Sequence, residues 1–381
     1  MATKEKIEIA VADGTLVQAQ APVIVSASRS TDIPAFYSDW FIRRLEAGYV
    51  KWFNPFNGVP LYVSFAKTRL FVFWSKNPRP MLQNLPRRNE CPLDVLDARD
   101  ANYYFQFTMN DYDAEKIEPR VPGIEDRVET FKMLSSRIGR NRVVWRFDPL
   151  ILTNELTISK LLERIERLGD RVAPYTSRLV FSFIDISDYR KVSANLVRGG
   201  IAAREFSSGE MEEVAARIGE LAKGWGIKAG TCGEIKDLER FGVEHNRCID
   251  DRLIAKCFNH DAELMKFIGA KFVQGDMFAS TEEGRLDRWV VADDVHTKHK
   301  DKGQREACGC IMSKDIGEYN TCPHLCHYCY ANANNIAALE NWKHHWHCPH
   351  AETITGSEEC VCIEINDVKI MKEYYGGVGY A

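Results

Sequence analysis

The residues with the clearest chemistry lie near the C-terminal end of the chain, in Thr321-Cys322-Pro323-His324-Leu325-Cys326-His327-Tyr328-Cys329-Tyr330. Three thiols spaced C-x3-C-x2-C on one short loop can grip three irons of a 4Fe–4S cube and leave the fourth iron without a protein ligand. An iron with a free position is a place for catalysis, as the open position of a catalytic metal site is. The competing chemistry is a zinc knuckle, with His324, His327 or a distant cysteine as the fourth ligand. Cys232, Cys248, Cys308 and Cys310 form a second candidate metal site, either an auxiliary iron–sulfur cluster or a structural zinc. Against this, Cys232 and Cys248 also suit buried positions as small side chains. The run His344, His345, His347, Cys348 and His350 reads as the end of a surface helix, its histidines near the negative pole of the helix dipole. Cys360 and Cys362 fall in an alternating stretch, Glu359–Val368, and read as packing residues.

The chain carries twelve cysteines, and only Cys91 lies in the first half, a distribution that core packing alone would not produce. The first residues, MATKEKIEIAVADG, are charged and have no apolar h-region, and no run of about 18 apolar residues occurs. The expectation is a cytoplasmic protein that does not enter a membrane. There the cysteines are expected to serve metal or redox chemistry and not a disulfide framework. A net charge of −4, with 45% hydrophobic and 27% charged residues, is an ordinary globular composition. It argues against general affinity for nucleic acid or membrane surfaces, while leaving room for a local nucleic-acid patch.

An α/β body must position these groups. Short apolar runs predict strands at Val23–Ala27, Leu70–Trp74, Tyr103–Thr108, Arg142–Phe147, Leu179–Ile184 and Ile227–Thr231. Apolar spacings of three and four predict helices at Pro34–Arg44, Asp126–Ile138, Ser159–Leu168, Asp188–Arg198, Gly209–Lys223 and Asp250–Phe258. Alternation of this kind implies βαβ units and a complete or partial (β/α) TIM-like barrel, with a doubly wound open sheet as the competitor. No G-x-G-x-x-G follows the first strand, which lowers the dinucleotide-binding version of the open sheet.

Several strands end in polar residues, and parallel strands gather such ends at one rim. Arg29, Asp32, Lys76, Arg146 and Asp148 are therefore the candidate substrate residues. Arg146 and Asp148 also suit a buried ion pair. An arginine holds a carboxylate or phosphate with two hydrogen bonds, so an anionic substrate, small molecule or polymer, is expected. The chain divides into an N-terminal extension at 1–20, the barrel-like body at 21–297, a cysteine-rich cluster-binding segment at 298–350 and a tail at 351–381. The charged run Lys298–Arg305 reads as a solvated linker between body and cluster segment.

The cysteine motif resembles that of the radical S-adenosylmethionine superfamily, which Cys322, Cys326, Tyr328 and Cys329 match position by position. The resemblance implies a 4Fe–4S cluster whose open iron chelates the amino and carboxylate groups of S-adenosylmethionine. One-electron reduction, from an external donor of flavodoxin or ferredoxin type, then yields a 5′-deoxyadenosyl radical. Tyr328 would lie near the adenine.

Longer phrases, SASRSTDIPAFY, FVFWSKNP, VVWRFDP and CGC-x2-SKDIGEYNTCPHLCHYCYAN, are similar to a bacterial family, domain of unknown function family 1848, over roughly Val23 to Ala333. That resemblance implies the architecture and the cofactor and names no substrate. In the superfamily the motif usually follows the first barrel strand. Here it follows the whole body, an arrangement that resembles thiamine pyrimidine synthase with a different cysteine spacing. No clear Gly-Gly-Glu segment is present to hold the methionine amino group. The cluster loop is expected to fold back over the barrel rim, in its own chain or across a homodimer. The alternative is a barrel hydrolase or lyase, with nucleic acid as a candidate substrate, in which Asp32, Asp148, Asp185 and Glu234 bind a divalent ion under a structural zinc or iron–sulfur cap.

Overall fold

The computed structural model describes residues 5–86, 88–275, 288–292 and 299–356. The elements begin with β1 (Lys6–Ala10), β2 (Leu16–Gln20), β3 (Ile24–Ala27), α1 (Ile33–Phe36), α2 (Ser38–Ala47), β4 (Tyr49–Phe53), β5 (Pro60–Ser64) and β6 (Leu70–Ser75). Then come α3 (Pro92–Asp97), β7 (Asn102–Thr108), α4 (Ile124–Ile138), β8 (Val143–Leu150), β9 (Leu152–Thr153), α5 (Ile158–Val172), β10 (Arg178–Phe183) and α6 (Arg190–Arg198). They continue with β11 (Ala203–Arg204), α7 (Ser208–Trp225), β12 (Lys228–Thr231), β13 (Val243–His245), α8 (Asp251–Cys257) and α9 (Ala262–Phe267). The last are β14 (Lys271–Val273), β15 (Arg288–Val290), β16 (Lys314–Asp315) and α10 (Asn335–His347).

The molecule is a mixed α/β protein around one eight-stranded sheet, ordered β13-β12-β10-β8-β7-β6-β3-β16. Every pair in it is parallel. From β3 to β13 the strands neighbour one another in chain order, and β16 returns to the free side of β3. All six expected strands are present, each within a few residues of its expected bounds.

Side chains alternate between the two faces of a strand. On one face Phe71, Phe73, Phe105, Phe107, Trp145, Phe147 and Phe181 pack against Phe41 of α2, Phe131 of α4, Ile165 of α5 and Ile218 of α7. The other face is split along its length. Its N-terminal half is apolar, with Ile24, Leu70, Val72, Tyr104, Val144 and Val180 packed with Ile254 of α8 and Met265 of α9. Two residues further on, the same parity carries Ser26, Trp74, Gln106, Arg146 and Ser182. The strands thus build a core at one end and a polar wall at the other from a single period-two pattern.

Four readings change. Residues 1–20 are more than an extension, because β1 and β2 join β5 and β4 in a four-stranded sheet. The helix expected over Pro34–Arg44 breaks at Tyr37 (φ −131°, ψ 21°), whose hydroxyl donates to the Thr321 carbonyl. The cysteine-rich segment contributes β16 to the main sheet. The histidine-rich helix is a surface element on one face only: on α10, His344 and His347 are exposed, while Trp342, His345 and Trp346 are buried and Trp342 lies edge-on to Phe36 and Tyr37. The stretch Glu359–Val368, with Cys360 and Cys362, lies outside the described residues. Among the described residues no helix is long and apolar enough to cross a membrane.

Candidate functional site

The C-terminal ends of the parallel strands open onto one cavity of about 490 Å³. Arg29, Asp32, Lys76, Arg146 and Asp148 line it from the strand ends. Cys322, Cys326, Tyr328 and Cys329 line it from the loop after β16. Cys232, Cys248, Cys308 and Cys310 complete the wall. These residues therefore face the same space, whereas Glu234 and His327, also singled out in the sequence, are not among those that line it.

The cysteine loop reaches the cavity because β16 is pinned beside β3. The Asp315 carboxylate accepts from Ser26 Oγ (2.6 Å), Ser28 Oγ (2.9 Å) and the backbone N–H groups of Arg29 (2.8 Å) and Gly317 (2.9 Å). Only glycine fits at 317, since a Cβ there would lie 1.8 Å from Ser28 Oγ. Beyond it the loop is held by side-chain amides. Asn332 Nδ2 donates to the Cys322 carbonyl (2.8 Å), and Asn195 Nδ2 to the carbonyls of Cys329 (2.7 Å) and Asn332 (2.8 Å).

The three motif thiols are not hydrogen-bonded to one another, and the Asn332 N–H donates to Cys329 Sγ (3.3 Å). Burial pushes all three thiols up, with Asp32 adding to the effect at Cys322 and the Lys76 charge opposing it at Cys326. Buried thiols in this state become thiolates when a metal supplies the positive charge. Three such thiols on one loop, facing a cavity and receiving a backbone N–H, are a donor set that fits an iron–sulfur cube. The zinc-knuckle alternative has less to draw on. His324 already has Nε2 3.0 Å from Asp32 Oδ2 and Nδ1 3.2 Å from the Arg120 carbonyl. His327 packs against Gly199, where a Cβ would lie 2.3 Å from its ring.

The five candidate substrate residues differ in what they have left to offer. Asp32 caps α1 at the Ala35 N–H (3.0 Å), accepts from the Lys76 N–H (2.7 Å) and holds His324, so it acts as a joint between β3, β6 and the cysteine loop. Lys76 Nζ pairs with Glu118 (2.7 Å) and reaches the Tyr328 hydroxyl (2.6 Å). Tyr328 is fixed by Lys76, by Asn110 Nδ2 (3.0 Å) and by donation to Glu118. Arg146 pairs with Asp148, which also accepts from the Ser182 hydroxyl, and donates to Cys248 Sγ (2.8 Å). Arg29 differs from the rest: its guanidinium stacks over Trp74 at 4.7 Å, and its Nη2 is buried without a hydrogen-bond partner.

The carboxylates of the hydrolase alternative are likewise engaged one by one. Asp185 pairs with Arg305 (3.0 Å), and Glu234 accepts from the Phe183 N–H (3.0 Å). Burial raises Glu234 to about 7. Among the described residues no three His, Cys, Asp or Glu side chains converge on a point where one metal ion would sit. A cube makes a different demand, because each of its ligands binds a different iron.

Glu118 and Asn110 escaped the sequence reading. Both lie in the loop after β7, where no spacing marks them. Although burial opposes it, the charges of Lys76 and Arg127 bring Glu118 down to about 2. Arg305, read as part of a solvated linker, lines the cavity and stacks on Tyr189 at 5.8 Å. Cys348, at the end of α10, is disulfide-bonded, an exception to the expectation of reduced cysteines.

Fold and site together define an α/β protein whose parallel strands open onto a cysteine-lined cavity. Within that class the chain belongs to the family described as domain of unknown function (DUF1848), whose model matches residues 24–331, from the start of β3 to just beyond Cys329. No curated protein and no solved structure matches the chain.

Proposed function

We propose that the protein is a radical S-adenosylmethionine enzyme on an open (β/α) barrel, with Cys322, Cys326 and Cys329 holding a 4Fe–4S cluster. The observation that carries this reading is the delivery of three thiols, on one loop, into the cavity formed by the parallel strand ends. The strand order supports the barrel. It is that of a ring wound in one direction and opened at one seam, with the last strand beside the first. Tyr104 and Gln106 of β7 also donate to the carbonyl of Cys248, which follows β13, four strands away along the sheet (2.6 and 2.7 Å). A flat sheet would keep these groups apart. The late position of the motif in the chain then has a simple account: β16 lies next to β3, and the loop arrives at the rim within its own chain, without a partner subunit.

When bound, the cluster and S-adenosylmethionine supply one-electron cleavage of the sulfonium to a 5′-deoxyadenosyl radical. The protein's part is to position and to exclude water. Asp32 and His324 fix the cysteine loop to β3 and β6. The Lys76–Glu118–Asn110 network locks the Tyr328 ring against the cavity. Arg29 keeps a buried, unpartnered donor for the carboxylate or phosphate of a bound molecule. An external one-electron donor completes the requirement.

The test is anaerobic incubation with dithionite and S-adenosylmethionine. Formation of 5′-deoxyadenosine, lost in Cys326→Ala together with the iron and sulfide of the loop cluster, is expected. Iron-free protein that carries only zinc, and forms no such product after reconstitution, would overturn the proposal.

A further inference from the structure

Four cysteines far apart in the chain line one stretch of the cavity wall, neighbours that do not yet converge on a point where a single metal ion would sit. Cys232 follows β12, Cys248 follows β13, and Cys308 and Cys310 lie on the approach to β16. The sulfurs of Cys232 and Cys248 are 3.3 Å apart. Cys310 lies beside both Cys248 and Cys308, so the four thiols follow one another along the wall as a chain of neighbours. Donors surround them: Arg146 Nη1 at 2.8 Å and Asn246 Nδ2 at 3.6 Å from Cys248 Sγ, and the Ile249 N–H at 3.4 Å from Cys310 Sγ. Arg29, with its orphaned Nη2, lies on the Cys310 side. Two guanidiniums against four thiols counter the negative charge that a thiolate-ligated centre carries.

The place is the seam of the sheet. Among the described residues β13 and β16 share no strand pairing. One backbone bond, from the Ile311 N–H to the Ile249 carbonyl (3.1 Å), joins the segments beside them. Ile249 and Cys310 are 61 positions apart in the chain, and the long excursion between them starts at Cys248 and ends at Cys308 and Cys310.

We propose that Cys232, Cys248, Cys308 and Cys310 bind a thiophilic metal centre, zinc or an iron–sulfur cluster, that clasps this seam and closes the ring. The metal gathers the chain of thiols, and each ligating thiol gives up its proton to solvent. A clip across a long loop removes much of the loop's conformational freedom in the unfolded chain, so the fold gains from it. The clasp does not depend on the radical chemistry of the other cysteine loop.

The test therefore starts from the triple variant Cys322→Ala, Cys326→Ala, Cys329→Ala, purified anaerobically. Retention of about one zinc per chain, or of iron with matching sulfide, is expected, and the element found tells the two centres apart. Adding Cys248→Ser should remove that metal and speed amide exchange over residues 299–312 about tenfold. A metal-free triple variant with Cys232, Cys248, Cys308 and Cys310 all open to alkylation would overturn the clasp, as would a Cys232–Cys248 disulfide in anaerobic protein. Should the triple variant fail to fold, Cys248→Ser in the otherwise native chain serves instead. There the loss of one centre, with the loop cluster kept, supports the clasp, and an unchanged metal content refutes it.

Discussion

Glu118 sits between Lys76 (2.7 Å) and Arg127 (3.3 Å) and receives the Tyr328 hydroxyl, all beneath the cysteine loop. Neutralising one partner of a buried pair leaves the other charge stranded, at a cost of about 3–5 kcal/mol. Glu118→Gln should lower the unfolding free energy by that order, read as a lower urea midpoint at an unchanged m-value, and a loss under about 1 kcal/mol would contradict the network. Because its charges hold Glu118 down at about 2, its stabilisation is present above the ordinary carboxylate range and fades as pH falls toward about 2. Glu234 has the opposite sign. Burial raises it from 4.5 to about 7, so its contribution is complete at low pH and is lost as pH rises across that window. Glu234→Gln keeps the acceptor for the Phe183 N–H and cannot ionise. It should gain stability relative to the native chain between pH 5 and pH 8, by up to roughly 3 kcal/mol, in paired denaturation curves. An equal difference at both pH values would refute this.

At the scale of elements, the cysteine loop depends on close contacts that leave no room for a side chain. A Cβ at Gly199, after α6, would lie 2.3 Å from the His327 ring, which sits between Cys326 and Cys329. Gly199→Ala should therefore shift the loop and lower its iron content, read by iron and sulfide analysis, while overall stability changes by only about 1–3 kcal/mol. Full iron occupancy in that variant would mean that the contact does not hold the loop. The six expected strands were legible because they are mostly apolar, the mark of burial on both faces. β16 was not, because two residues, Lys314 and Asp315, carry no periodicity, and its place is set by the Asp315 bonds to Ser26, Ser28 and Arg29. β4 and β5 were missed as their half-buried residues mix polar and aromatic types. At Tyr37, where the helix breaks, the hydroxyl donates to the Thr321 carbonyl, a tertiary contact that helical spacing cannot announce.

For the whole molecule, the parallel strand order, with β16 returned beside β3, places both cysteine sets on a single cavity. Cys322, Cys326 and Cys329 could be read from their spacing alone. The other four thiols were nameable as a set, but their common place on the cavity wall follows from β16 lying beside β3 and from the Cys248 carbonyl reaching Tyr104 of β7. Glu118 and Asn110 had no local signal, since their partners come from β6 and from the cysteine loop. The central claim is an iron with a free position, and the electron paramagnetic resonance spectrum of the dithionite-reduced protein, recorded before and after S-adenosylmethionine, tests it directly. The account predicts a cluster signal that shifts when the cofactor is added and disappears in Cys326→Ala. A cluster signal that S-adenosylmethionine leaves unchanged would contradict it.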